Sequence, residues 1–565
     1  MLARVRSAAL TGIEAVVVDV EIDMSLGLPY FNVVGLPEGA VKESKVRVIS
    51  ALKNSGFELP QKRITVNLAP ADIRKEGPAF ELPIALGVLV SARLLDEEPL
   101  ASWLFAGELS LDGTLKPIRG VLPLAIAARD NGFRGVMVPA QNAAEAALVD
   151  RIEVLPVGHL KDAVEHLGQV RPVTPFSRVA PCGSVARNPS PLDMADVRGQ
   201  SDLKGQIESA AAGGHNLLMC GPPGSGKTML ARRIPGILPS MTFQEALEVT
   251  QIYSVLGLVA DGEALVTERP FRSPHHTISD AGLVGGGVLG RPGELTMAHH
   301  GVLFLDELPE FRKNVLEVLR QPLEEGQIHI ARANHNLTYP CRVMLVAAMN
   351  PCPCGWFNVP NRQCTCKAPK VYEYYQRVSG PLMDRVDITV QARPVEHQHV
   401  VDLGPSSRDS AWYRSRVEAA RERQRHRFRQ RPGIYCNAQM GPRELREFCK
   451  LTARGRKMIE EAVASHSLSA RAHDRIVKLA RTKADLEGSD HIRDADVFFA
   501  VDCRYLDRKG WFGAAPGQDA MVRYRGRRQP SPDAGWMPAE PQMQFDQWTS
   551  DGADSRDGVP LPEDP

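Results

Sequence analysis

No stretch of this 565-residue sequence reaches the roughly 18 uninterrupted apolar residues that a membrane span needs. Its beginning lacks the charged, apolar and small-residue succession of a secretion signal, so a cytoplasmic protein with no membrane partner is expected. Charge of one sign is missing too: the formal net charge is +1, so any polyanion must be met by a local patch rather than a global field. There is no internal repeat. With 43% hydrophobic and 24% charged residues, composition excludes collagen-like, coiled-coil and wholly disordered classes. Cysteine is unevenly spread: Cys182, Cys220, Cys341, Cys436, Cys449 and Cys503 are scattered, and four more fall between Cys352 and Cys366. In a reducing compartment that grouping points to metal rather than disulfides.

A chain this long exceeds one hydrophobic core, and two to four domains are expected. Residues 1–170 mix strand-like alternation (RITVNL at 63–68) with helical spacing (Val41, Val48, Ile49, Leu52 before Gly56), an α/β or α+β pattern. Residues 171–192, rich in Pro, Ser and Arg and without period, read as a linker. From 193 to 394 apolar strands alternate with helical patterns, the signature of a parallel sheet with crossover helices. Residues 395–506 turn helical, with proline-free three-and-four spacing at 458–466 and 470–486. Residues 507–565 are dominated by Gly, Pro, Asp, Arg and Gln, a composition expected to be a disordered tail.

The chemistry lies in the third segment. HNLLMC at 215–220 reads as a buried strand feeding GPPGSGKT at 221–228, which is GxxxxGK[ST] in its strand, loop and helix context. Gly221, Pro222, Pro223, Gly224, Ser225 and Gly226 would curl so that backbone N–H groups converge on phosphate oxygens. Lys227 would neutralise the β and γ phosphates of ATP, and the Thr228 hydroxyl would hold Mg²⁺. GVLFLDE at 301–307 is an apolar strand ending in two carboxylates, Asp306 for the Mg²⁺ shell and Glu307 to polarise the attacking water. RVMLVAAMN at 342–350 ends in a lone polar Asn350, a sensor by position. Arg385 and Arg471 are offered as γ-phosphate arginines from a neighbouring subunit, with a surface ion pair as the alternative for each.

Taken with RQPLEEG at 320–326, AAMNPCPCG at 347–355 and SGPLMDRVD at 379–387, these motifs resemble the magnesium-chelatase-like ATPases of the YifB/ComM family, over residues 1 to about 506. The resemblance implies an AAA+ P-loop sheet with a helical lid, Asn350 as sensor 1, Arg385 as arginine finger and Arg471 as sensor 2. It places Val197, in DVRGQ at 196–200, in the segment that embraces adenine. It also implies pore hairpins. Residues 328–342 suit one with a tip at Arg332, Ala333, Asn334 and His335, and the gap between Lys227 and Asp306 holds a second insert with Arg272, His275, His276 and Gly285 to Gly287. Arg272, His275, His276, Arg332 and His335 are then DNA-contact candidates, with plain structural loop as the alternative. The arginine-rich run at 414–431 is compatible with phosphate contact or with a solvated helix face.

The front of the chain resembles the S5-type α+β proteolytic domain of Lon, through KEGPAF at 75–80 and GELSLDGTLKPI at 107–118. Ala79 stands at the serine position and Leu122 at the lysine position, so no acyl-enzyme is expected. Ser110 has no evident base. Cys352, Cys354, Cys364 and Cys366 form two close pairs suited to a structural Zn²⁺, four free thiols being the alternative. The function the resemblance implies is a homo-hexameric, ATP-driven DNA helicase promoting branch migration of single-stranded or branched DNA during natural transformation. The alternative is a chelatase-like or regulatory ATPase that remodels a protein partner. An ATP-dependent protease would need peptide cleavage despite Ala79 and Leu122.

Overall fold

The computed structural model describes residues 2–36, 39–177, 192–260, 262–287, 290–331, 336–359, 362–394, 408–431, 433–466, 469–504 and 506. The expected tail, most of the linker and the hairpin tip with Arg332 and His335 lie outside these residues. Among the described residues no helix is long and apolar enough to cross a membrane.

The front of the chain is built on a four-stranded sheet. Leu2–Thr11 pairs antiparallel with Glu14–Ser25, which pairs antiparallel with Arg63–Ala69, and Tyr30–Val34 closes the edge in parallel. Alternation sends Val18, Val20, Ile22 and Met24 into one core. The helix Glu81–Ser91, buried along its whole length, lies on that face. A Cβ on Gly87 would stand 2.1 Å from Cδ1 of Ile22, so glycine permits the close helix–sheet approach. Trp103–Phe105, Gly135–Pro139 and Glu153–Val157 form a second, parallel sheet, against which Val121–Asp130 packs.

The central sheet has five parallel strands in the order Phe271–Arg272, Val302–Leu305, Met344–Met349, Leu217–Cys220, Ile388–Gln391. Its strands read as continuous apolar runs because both faces are covered. Leu217, Met219, Val302, Phe304 and Val346 enter the core shared with the C-terminal helices, while Leu218, Cys220, Leu303, Leu305 and Leu345 enter the opposite core. The helices Ser410–Phe428, Ala453–His466, Ala470–Leu486 and Asp494–Asp502 share a hydrophobic core with the sheet. A buried polar bond reinforces that join, His215 Nε2 lying 2.8 Å from the Thr482 hydroxyl, and within the helical segment Asp485 accepts from Arg427, Arg481 and Asn437.

Two expectations about inserts meet different outcomes. Gln327–Ala331 and Asn336–Pro340 form the anticipated antiparallel hairpin. The second insert begins later than the sequence reading had it. Phe271–Arg272 pairs with Val302–Leu305 and is the outer strand of the central sheet, stabilised by the Phe271 ring stacked on Phe304.

The helix Phe243–Leu256 touches both halves of the chain. The Ser254 hydroxyl donates to the buried Glu145 of the front domain, the Ser254 carbonyl accepts from Gly120 N–H at 3.1 Å, and Gln251 donates to the Ile13 carbonyl at 2.8 Å.

Candidate nucleotide site

Several segments meet at the carboxyl edge of the central sheet, where open parallel sheets bind ligands. Residues 221–228 leave the buried strand Leu217–Cys220 in a turn that glycine makes possible. A Cβ on Gly221 would stand 2.2 Å from the Ala392 carbonyl oxygen, and Gly224 and Gly226 have φ of 77° and 82°. The Ser225 hydroxyl closes the turn by donating to the Pro222 carbonyl at 2.8 Å. The Lys227 ammonium donates to the carbonyls of Gly221 (2.7 Å) and Pro222 (2.9 Å) and to Asn350 Oδ1 (3.3 Å). Burial pushes it below the ordinary lysine pKa, which makes a phosphate a far better partner than these neutral oxygens.

The strand Val302–Leu305 delivers the two carboxylates. Thr228 Oγ1 donates to Asp306 Oδ2 at 2.6 Å, and Asp306 Oδ1 accepts the Glu307 N–H at 2.9 Å. Glu307 has φ of 53°, a left-handed conformation at a residue with a side chain, and its carboxylate is 54% exposed. Asn350 follows the strand Met344–Met349, whose last carbonyl accepts the Gly221 N–H at 3.1 Å. Val197 is buried ahead of the loop, and Gln200 ties that segment to the site by donating to the carbonyls of Ser225 (3.3 Å) and Arg393 (2.5 Å). Gln200 escaped the sequence reading; its place in DVRGQ was the available signal.

The family comparisons follow this layout. Residues 193–400 match the family described as "Magnesium chelatase, subunit ChlI", residues 20–142 "Subunit ChlI of Mg-chelatase", and residues 407–504 "Magnesium chelatase, subunit ChlI C-terminal". The competence protein ComM of Haemophilus influenzae is 42% identical over 508 residues, 90% of this chain and 98% of that protein. The uncharacterized protein YifB of Salmonella typhimurium is 40% identical over 510 residues, again 90% and 98%. The chain belongs to the magnesium-chelatase-like YifB/ComM family. Lon protease 2 of Bacillus subtilis is 28% identical over 128 residues, 22% of each chain. Membership supports ATPase activity, with ATP and Mg²⁺ consistent with it.

In this YifB/ComM-family chain both candidate arginines border Asp384, which Arg385 follows and Arg471 faces. Arg385 donates to Glu324 (2.5 Å) and to the carbonyls of Arg320 (3.0 Å) and Pro381 (2.7 Å). Arg471, 61% exposed, lies 3.6 Å from Asp384.

The DNA-contact candidates among the described residues have partners inside the subunit. Arg272 is held by both carboxylate oxygens of Glu294, at 2.6 and 2.8 Å, within the sheet edge rather than on an insert tip. His276 Nδ1 lies 3.8 Å from Glu307 Oε2, and the His275 ring centre lies 4.0 Å from that of His276. Within the subunit the neighbourhood of this pair is the end of the acid strand. The arginine-rich helix is likewise engaged: Arg416 with Glu208, Arg421 with the Ala211 carbonyl, Arg423 with Asp490 and Arg427 with Asp485.

Two side-chain clusters lie nearby. The sulfurs of Cys352, Cys354, Cys364 and Cys366 all lie within 4.8 Å of one another, with pairs at 3.3, 3.6 and 3.7 Å. Four thiolates at about 2.3 Å from a tetrahedral zinc are about 3.8 Å apart, so the donor set fits that ion. The backbone N–H groups of Phe357 and Cys366 donate to the sulfurs of Cys352 and Cys364, bonds that orient thiolates toward a metal. Glu248, His299 and His300 form the other cluster, and two adjacent histidines just before the acid strand were its sequence signal. His299 Nδ1 accepts the Arg342 N–H at 3.0 Å, which leaves its proton on Nε2 facing Glu248 at 3.2 Å. That arrangement is complete without a metal. Burial pushes the His299 imidazole down to about 4. Burial opposes ionisation of Glu248, yet hydrogen bonds from His299 and His300 hold it well below the ordinary carboxylate range.

In the front domain, Ala79 and Leu122 belong to one apolar cluster.

Proposed function

We propose that this chain is an ATP-hydrolysing, ring-forming motor that remodels single-stranded or branched DNA, of the helicase or branch-migration type used in natural transformation, and that it acts in the cytoplasm as a homo-hexamer. The observation that carries the reading is the Thr228 to Asp306 hydrogen bond at 2.6 Å, with Lys227 and Asn350 on the same sheet edge. In this reading residues 221–226 receive the phosphates on their backbone N–H groups, Lys227 exchanges carbonyls for the β and γ phosphates, and Val197 lies against adenine. Thr228 and Asp306 hold Mg²⁺, whose chemistry when bound is to neutralise charge on the β and γ oxygens. Glu307 orients and polarises the attacking water, and Asn350 fixes that water or the γ phosphate. Arg385 and Arg471 serve a neighbouring subunit's nucleotide, which makes turnover depend on assembly.

The four cysteines hold a structural zinc, and a closed set of four thiolates leaves no open position for catalysis. The front domain, residues 1–170, has no peptidase activity, because Ala79 and Leu122 offer neither a hydroxyl nor an amine. Residues 193–394 form the motor core and 395–506 its lid. His275, His276 and the hairpin tip with Arg332 and His335 remain the proposed DNA-facing groups, while Arg272 is committed to Glu294.

A strand-displacement assay on forked DNA with wild type, Lys227→Ala and Glu307→Gln tests the reading. Unwinding by the wild type alone is expected. Equal unwinding by all three would overturn the mechanism. Nucleotide turnover without any response to DNA would favour a chelatase-like remodeller of a protein partner.

A further inference from the structure

We propose that the four-thiolate site governs nucleotide affinity: zinc held by Cys352, Cys354, Cys364 and Cys366 fixes the turn at Gly355 against Pro223 and so sets the shape of the phosphate loop. This rests on the zinc and nucleotide readings above and adds a physical link between them.

The link has four points. Gly355 sits between the first ligand pair and residue 356 at φ of 85°, and its N–H donates to the Cys352 carbonyl at 2.9 Å, closing the turn. A Cβ on Gly355 would stand 2.6 Å from Cδ and 2.8 Å from Cγ of Pro223, so the backbone of the turn lies directly on the ring of the third loop residue. Cys220, the last residue before the loop, is buried in the same apolar cluster as Cys352. Asn350, which meets Lys227, is separated from the first ligand only by Pro351, whose carbonyl accepts the Tyr375 hydroxyl at 2.6 Å.

Among the described residues of 351–367 none belongs to a helix or strand, so no backbone ladder holds this segment in place. Beyond single turn bonds such as Gly355 N–H to the Cys352 carbonyl and the packing of Phe357, its order depends on whatever joins the four sulfurs. A metal that binds the folded arrangement and not the loosened one contributes its binding free energy to that arrangement. The turn that zinc fixes is the surface on which Pro223 rests. Loss of zinc frees the turn, withdraws support from residues 222–224 and shifts Asn350 away from Lys227.

The experiment uses full-length protein and two readouts, zinc content by elemental analysis and the Kd of a fluorescent ATP analogue by titration. Protein as purified is compared with protein stripped by a chelator under reducing conditions, protein reloaded with zinc chloride, and Gly355→Ala. The alanine variant keeps all four thiols, and its measured zinc content shows that the contact is tested with the metal in place. The expected result is one zinc per chain, about tenfold weaker nucleotide binding after stripping with recovery on reloading, and at least roughly fivefold weaker binding by zinc-loaded Gly355→Ala. Unchanged affinity in stripped protein, or wild-type affinity in zinc-loaded Gly355→Ala, would overturn the link while leaving the zinc reading intact. Fresh protein without zinc would overturn the zinc reading and this proposal with it. Zinc-loaded protein that binds no nucleotide would overturn the motor reading instead.

Discussion

The Thr228 hydroxyl and the Asp306 carboxylate meet at 2.6 Å although they follow strands that are not neighbours. Leu217–Cys220 and Val302–Leu305 flank Met344–Met349, the strand that delivers Asn350 between them. A parallel sheet puts all three strand ends on one edge, where the loops that follow them meet. The groups proposed to hold metal and phosphate thus come from three separate stretches of sequence that the sheet brings to one edge. Replacing Thr228 with Ala, or Asp306 with Asn, is expected to weaken Mg²⁺-dependent ATP binding by about 1.5–3 kcal/mol, the range for hydrogen bonds to charged groups. Titrations with and without Mg²⁺ check this: the wild type should show a metal dependence that both variants lose.

Gly221 is the point where the phosphate loop passes the strand Ile388–Gln391 and its continuation. With a Cβ 2.2 Å from the Ala392 oxygen, which is backbone and cannot rotate away, Gly221→Ala must displace one of the two segments. A cost of about 1–3 kcal/mol is expected, the usual range for overpacking. Thermal unfolding should show a lowered Tm, and ATP affinity should fall further than in a surface control such as Lys116→Ala.

The burial of His299, only partly offset by its contact with Glu248, makes stability depend on pH with a definite sign. His299 has its folded pKa depressed to about 4 from the ordinary 6.5, so the unfolded chain binds more protons between those values. Stability is therefore full above pH 6.5 and is lost as pH falls toward 4, by about 2 kcal/mol at pH 5 for this group alone. Glu248, held below the carboxylate range, adds a second loss once pH drops under 4.5. Melting curves between pH 7.5 and pH 5 should fall more steeply for wild type than for His299→Asn, in which nothing titrates at this position.

Arg385 is occupied by Glu324 and two carbonyls within its own subunit, so the service to a neighbour proposed for it needs an assembly that replaces those bonds. Arg385→Ala is expected to bind ATP within about twofold of wild type yet lose about 10³-fold in turnover, the scale of an arginine finger. Mixing Arg385→Ala with Lys227→Ala subunits gives a sharper check. Each alone should be inactive, and partial recovery in the mixture means that one subunit's arginine serves another's nucleotide.

Much of the nucleotide site was legible because its chemistry is local in sequence. GPPGSGKT, the acid pair after an apolar strand and the terminal Asn350 each carry their own context, and the parallel sheet follows from doubly buried runs such as VLFL. Residues 458–466 and 470–486 were readable as helices from their period, and the structure has Ala453–His466 and Ala470–Leu486. The two-residue strand Phe271–Arg272 was not legible. It is too short to show a period, and only pairing with Val302–Leu305 makes it a strand. Nor does sequence show that His276 faces Glu307 or that Gly355 lies on Pro223, since both contacts join distant segments through the fold. Arginine density at 414–431 was ambiguous for a related reason: partners such as Glu208 and Asp485 are remote in the chain, and composition cannot distinguish an arginine committed to them from one free for phosphate.

The most direct test of the account is steady-state ATP turnover by the purified wild-type protein as single-stranded and forked DNA are titrated in, with Glu307→Gln as the control that retains nucleotide but not hydrolysis. Turnover that rises several-fold with DNA and is absent from Glu307→Gln is the predicted result. Turnover indifferent to DNA, or undiminished in Glu307→Gln, would contradict it.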